Sequence, residues 1–160
     1  LSEEATQKAI ALDIVDNMEE NICYIIGPGT TTRAIMQALN LPYTLLGVDV
    51  IMNQRLLKKD ASERDLLDYV SQYPSKLVLT PTGGQGYLLG RGNQQISSKV
   101  VEKIGKDNII IVSTNSKIIG LRGKPFMVYT GDKKVDQMLK GYYRVKVGYG
   151  MEIMYQVEIE

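Results

Sequence analysis

The sequence predicts an α/β fold, a three-layer, Rossmann-like, mostly parallel sheet with a C-terminal antiparallel hairpin. Three observations predict it. Short continuous apolar runs recur along the chain at Ile22–Ile26, Lys76–Thr80, Asn108–Val112 and Pro125–Thr130. Runs of this kind mark strands buried on both faces, as in a parallel sheet. Segments with apolar residues at helical spacing lie between them, and such alternation puts helices on both faces of one sheet. Only the last segment changes period. Tyr143–Val147 and Met151–Ile159 alternate across Tyr149-Gly150, which reads as a hairpin on the sheet edge.

Each element has its own signal. Ser2 with Glu3 and Glu4 opens a helix, pairing an N-cap oxygen with acids at the positive helix end. Ala5, Ala9, Leu12 and Val15 continue it, and Asn21 is the expected stop. Ile22–Ile26 is strand one. Ala34, Ile35, Ala38 and Leu39 form the next helical stripe, closed by Asn40 and Pro42. Tyr43–Ile51 is the second strand. Ser62 to Asp65 opens a helix whose face is Leu66, Leu67, Tyr69 and Val70, ended by Pro74. Lys76–Thr80 is strand three. Ser97 caps a helix through Val100, Val101 and Ile104, stopped by Gly105. Asn108–Val112 is strand four, followed by a short helix over Ser116–Leu121. Pro125–Thr130 is strand five, and Asp132–Leu139 is a last short helix.

Composition narrows the function. The 160 residues suit a single α/β domain over 1–160, without repeats or a linker. A net charge of +1 argues against a nucleic-acid partner. No apolar stretch approaches the roughly 20 residues of a membrane span, and no secretory signal appears. The one cysteine, Cys23, lies in an apolar run and reads as a buried reduced thiol, which fits a cytoplasmic setting. There is no histidine, so the commonest general base and zinc ligand are missing, and no metal site is expected. The chain begins at Leu1 rather than Met and is expected to be part of a longer protein.

Ligands of parallel α/β sheets bind outside the carboxyl ends of the strands. The loop after strand one, Gly27-Pro28-Gly29-Thr30-Thr31-Thr32, combines glycines that admit close backbone approach with hydroxyls and free amides at a helix start. It is built to hold an anion such as a phosphate, and Arg33 is within reach of the same group. The alternative is a capped strand-to-helix turn with Thr31 as its N-cap. The loop matches neither the Walker A pattern nor the Gly-x-Gly-x-x-Gly fingerprint. After strand three come Thr82, Gly83, Gly84, Gln85 and Gly86, then Arg91, Asn93 and Gln94, which offer hydrogen-bond donors and one bidentate guanidinium. Asp49 and Asp132 are candidate acids for hydroxyl recognition or general-base work, or else an ion-pair partner and a helix cap. All these loops are expected on one sheet edge. No nucleophile–base pair appears, so no catalytic residue is assigned.

At these residues the chain resembles a known family. Tyr24–Ile35, Thr44–Val50, Gly83–Gly86, Gly90-Arg91-Gly92-Asn93-Gln94-Gln95, Asn108–Val112, Thr130–Asp132 and Gly141-Tyr142 resemble the C-terminal portion of the ATP-NAD kinase family, in its AcoX-like branch. The resemblance implies phosphoryl transfer from ATP to NAD, giving NADP, in the full-length protein. ATP and Mg are implied for that protein only, with no cofactor intrinsic to this chain. The partners implied are a small phosphorylated molecule or nucleotide and an N-terminal kinase domain, with homo-oligomerisation left open. The family's catalytic Gly-Gly-Asp-Gly motif lies in the N-terminal half. Gly83-Gly84-Gln85-Gly86 has glutamine in place of the acid, so this chain alone is expected to be inactive. The alternatives are a non-catalytic module sensing a phosphorylated metabolite, and a sugar-phosphate isomerase-like enzyme with Asp49 or Asp132 as base.

Overall fold

The computed structural model describes residues 2–160, and Leu1 lies outside the described residues. Strand β1 (Cys23–Ile26) shows how the short apolar runs build two cores at once. Successive side chains of a strand point to opposite faces. Cys23 and Ile25 therefore join one cluster, while Tyr24 and Ile26 join the other. Strand β4 (Ser75–Leu79) repeats the division, with Leu77 and Leu79 on the first side and Val78 on the second.

Helices cover both faces, as the alternation predicts. Helix α1 (Glu3–Asp16) and helix α2 (Thr30–Ala38) bury Ile10, Ala11, Ile14, Ile35 and Met36 on the second face. Helices α3 (Glu63–Gln72), α4 (Ser98–Ile104) and α6 (Lys133–Leu139) send Leu66, Val100, Val101, Val135 and Leu139 into the first. Each fully buried aliphatic side chain of this kind is worth roughly 1.5–3 kcal/mol. The predicted caps at Ser2, Ser62 and Ser97 accept from the amides of Ala5, Asp65 and Val100. Helix α1 ends at Asp16, before the expected stop at Asn21.

Two strands absent from the sequence reading complete the sheet. The run Tyr43–Ile51 is extended only at its end, in β2 (Asp49–Met52), which turns back through Asn53 and Gln54 into β3 (Arg55–Lys58). Both turn residues have positive φ, the requirement of a tight hairpin turn. The other new strand is β5 (Tyr87–Leu89). With β6 (Ile109–Val112), β7 (Phe126–Val128), β8 (Gly141–Gly148) and β9 (Met151–Ile159), the nine-stranded sheet has the order β3-β2-β1-β4-β6-β8-β9-β7-β5. The short helix α5 (Asn115–Gly120) lies between β6 and β7.

Strand sense corrects one expectation. Strands β1, β4, β6 and β8 are parallel. The β8–β9 hairpin does not sit at the sheet edge but in its middle, and β9 reverses the direction. Strands β7 and β5 then run parallel to β9. The carboxyl ends of β5 and β7 therefore lie at the sheet edge opposite to the carboxyl ends of β1, β4 and β6. The candidate loops do not share one edge.

Candidate functional site

The edge formed by the carboxyl ends of β1, β4 and β6 holds the site. The residues of the first loop owe their conformation to Gly29. It sits at φ 137°, ψ 163° as the N-cap of α2 and offers no side-chain cap. That region of backbone space is open essentially to glycine alone. A Cβ at Gly29 would also overlap Cγ2 of Thr80. Glycine capping leaves the first-turn amides of α2 without the usual side-chain acceptor. Among the described residues no protein group accepts from the amides of Thr30, Thr31 or Thr32. Thr31, the N-cap of the alternative reading, is already inside the helix. The amino end of α2 thus presents free N–H groups and a partial positive charge to the cleft in front of it.

That cleft has a volume of about 210 Å³ and is bounded by Gly29, Thr30 and Thr31 on one side and Thr80, Pro81, Thr82 and Gly83 on another. Thr80 is only 6% exposed, and its hydroxyl has no partner among the described residues. Among the described residues no buried side-chain oxygen or nitrogen lacks a partner, so the Thr80 hydroxyl reaches solvent, and Thr80 lines this cleft. Lys117 of α5 supplies an ammonium that makes no ion pair among the described residues. Its position follows from Thr114, the N-cap of α5, whose side chain accepts from the Lys117 amide.

Helix α1 closes the third side. Gln7 Nε2 donates to Thr30 Oγ1 at 3.0 Å and to Thr31 Oγ1 at 3.4 Å. Both hydroxyls are thereby acceptors toward Gln7, and their own protons stay free to be donated outward. Glu3 accepts from Thr114 Oγ1 at 2.9 Å and from Ser116 Oγ at 2.6 Å, and Glu3 also lines the cleft.

The remaining sequence candidates divide by location. Gly27 is buried under the loop, with Thr32 Oγ1 bonded back to the Gly29 carbonyl. Arg33 points into the groove between α1 and α2, shared with Gln7 and Gln37, and its guanidinium lies 6.0 Å from the Tyr43 ring centroid. Asp49 is at this edge, opposite Ile26, but is 3% exposed. Its oxygens accept from the Thr44 amide and hydroxyl and from the Asp60 amide. The space beside it is about 10 Å³, too small for more than one water. Asp49 is committed to holding the 43–48 and 59–61 loops together. Gly84 and Gln85 turn into a neighbouring cavity of about 340 Å³ with Arg122 and Lys124, and Gly86 packs on Leu121.

Arg91, Asn93, Gln94 and Asp132 lie at the opposite edge, because β5 and β7 run the other way. Arg91 stacks 4.3 Å from the Tyr87 ring centroid and pairs with Glu160. Asn93 is buried, accepting from the Gly90 amide and donating to the Leu88 carbonyl, so it ties its own loop. Gln94 is exposed beside it. Asp132 caps α6 by accepting from the amides of Lys134 and Val135.

The sequence reading missed Glu3, Gln7 and Lys117 as site residues. The serine and threonine caps carried part of the signal. The cap at Ser2 puts Glu3 at the first position of α1, and the cap at Thr114 sets Lys117 three residues on. That the ends of these two helices meet is a tertiary fact. The cleft can hold one anionic group against the α2 amides and Lys117, beside one carboxylate. Among the described residues no group of three or more acidic, cysteine or histidine side chains could hold a metal ion. Among the described residues Glu3 is the one carboxylate-bearing residue lining the cleft, short of the oxygen set a magnesium ion takes.

The family model for the ATP-NAD kinase C-terminal domain covers residues 19–157, most of the chain. No curated protein and no solved structure is significantly similar to it.

Proposed function

Since the chain belongs to the ATP-NAD kinase C-terminal domain family, we propose that it is the ligand-binding portion of a protein that phosphorylates NAD at the expense of ATP. In this reading the cleft between β1, β4 and β6 holds a phosphate of the nucleotide. The observation that carries it is the amino end of α2, where Gly29 leaves the amides of Thr30–Thr32 free, with Thr80 and Lys117 lining the same cleft. A helix amino end with free N–H groups is a ready anion site. Arg33 and the Gly84-Gln85 turn, beside this cleft but not in it, are left for the rest of a nucleotide. The AcoX-like branch remains part of the proposal.

The chain's own residues bind and orient. Neither Asp49, which is enclosed, nor Asp132, which lies at the far edge, is placed to act as a base in this cleft. The kinase acid belongs to the Gly-Gly-Asp-Gly motif, which these 160 residues do not contain. Two measurements test the reading. Titration with inorganic phosphate is expected to shift the amide NMR signals of Gly29–Thr32, and Lys117→Ala is expected to weaken binding several-fold. Incubation with NAD, ATP and Mg is expected to yield no NADP, and turnover by this chain alone would refute the division of labour.

A further inference from the structure

We propose that α1 supplies the specificity of this cleft, with Glu3 accepting a hydroxyl of the ligand next to its anionic group. The ligand class is then a phosphorylated polyol, such as a sugar or ribose phosphate, rather than a bare phosphate. The proposal rests on the phosphate reading above. Helix α1 begins before the matched stretch of residues 19–157, so Glu3 and Gln7 are not part of what the family model describes.

Glu3 and Gln7 are four residues apart, so they project from one face of α1. Gln7 bonds the hydroxyls of Thr30 and Thr31, which docks that face on the anion loop. Glu3 is thereby brought to the other lip of the same cleft, beside Thr114 and Ser116. A carboxylate accepts at about four lone-pair positions. Thr114 and Ser116 each occupy one, which leaves positions for a ligand hydroxyl in the cleft that Glu3 lines.

The charge pattern sets what can satisfy them. The α2 end carries about half a positive charge and Lys117 a whole one, which suits one phosphate. A second anionic group would meet the Glu3 carboxylate, and an apolar substituent would leave its free positions without a donor. A hydroxyl donates to a carboxylate and satisfies both demands. Thr80, 94% buried and lining the same cleft, has a hydroxyl without a protein partner among the described residues. Gln7 is the positioning residue, because it turns the threonine protons outward toward the phosphate.

Glycerol 3-phosphate and n-propyl phosphate differ only in two hydroxyls and form a matched probe pair, with inorganic phosphate as the reference. Binding is read by calorimetry and by the amide shifts of Gly29–Thr32. Wild type is expected to prefer glycerol 3-phosphate by about tenfold, the scale of one hydrogen bond to a charged group. Glu3→Gln is expected to lower that ratio to about twofold or less while n-propyl phosphate and inorganic phosphate bind as before. Ser116→Ala, which removes a contact of Glu3 but leaves its charge, is expected to keep the ratio. Equal affinity for the two probes in wild type, a ratio that survives Glu3→Gln, or an equal loss in Ser116→Ala would overturn the proposal and leave the phosphate site standing. Failure of every phosphate to bind would remove the phosphate site and the specificity proposal together.

Discussion

Replacing Gly29 by alanine tests the physical basis of the cleft. The perturbation has two separable parts. An alanine at φ 137°, ψ 163° occupies backbone space essentially reserved for glycine, at a cost of about 1–3 kcal/mol. Its Cβ also collides with Thr80 Cγ2, and Thr80 is 6% exposed and hemmed in. Overpacking of that kind costs about 1–3 kcal/mol more. The sum is roughly 2–6 kcal/mol, out of a total near 5–15 kcal/mol for such a domain. At this chain length each kcal/mol moves the midpoint by roughly 2–4 °C, so the melting temperature should fall by at least about 4 °C. Urea unfolding followed by far-ultraviolet circular dichroism gives the stability directly. The companion variant Thr80→Ser keeps the hydroxyl and deletes Cγ2. Combined with Gly29→Ala, it should restore the packing part and leave the backbone part, a coupling of about 1–3 kcal/mol. A loss below about 1 kcal/mol in Gly29→Ala would refute the strain argument. Complete rescue by Thr80→Ser would reduce the glycine requirement to a contact.

Two further predictions concern the body of the fold. Asp13 is 3% exposed and accepts from the Lys146 ammonium at 3.0 Å and from the Gly150 amide. Burial pushes its carboxyl up, but the Gly150 and Lys146 hydrogen bonds and the Lys146 charge outweigh this and hold it below the ordinary carboxylate range. A carboxyl lowered on folding contributes fully above its unfolded value, near 3.9, and its contribution fades as pH falls through the lower folded value. Asp13→Ala should cost about 3 kcal/mol at pH 7 by leaving Lys146 without its buried partner, and should flatten the stability profile below about pH 4 in acid titrations. Cys23 is fully buried, and its thiol is pushed up to about 11 by that burial. It should therefore resist a thiol reagent at pH 8 in the folded protein and react promptly in 6 M guanidinium. Fast labelling of the native chain would show that the β1 core opens.

How much of this was legible in the sequence depends on the range of the physics. The caps at Ser2, Ser62 and Ser97 were readable because each bond spans three residues. The buried run of β1 was readable because burial on both faces demands continuous apolar residues. Strand β3 was not, because its turn is Asn53-Gln54 rather than the Asn-Gly that signals such hairpins. Strand β5 was hidden as three residues inside a glycine-rich stretch read as a loop. In the site, Gly29, Thr30 and Thr31 carried a local signal of their own. Glu3 and Lys117 did not, since what makes them site residues is partners 111 and 113 positions away for the first and a shared cleft for the second.

By itself the sequence determined the local chemistry of this protein. It specified the two-sided strands, the capped helices and a glycine at the mouth of α2 that leaves three amides unpaired. These follow from sterics and hydrogen bonds within a few residues. The tertiary structure alone decided strand sense and sheet order. Inserting β8 and β9 into the middle of the sheet reverses β7 and β5, which sends Arg91 and Asp132 to the far edge, while the Gln7 bonds dock α1 on the anion loop and Glu3 meets Thr114. A strand's apolar pattern is the same in either direction, so its sense is set by which long-range pairing buries the most surface, a property of the whole chain.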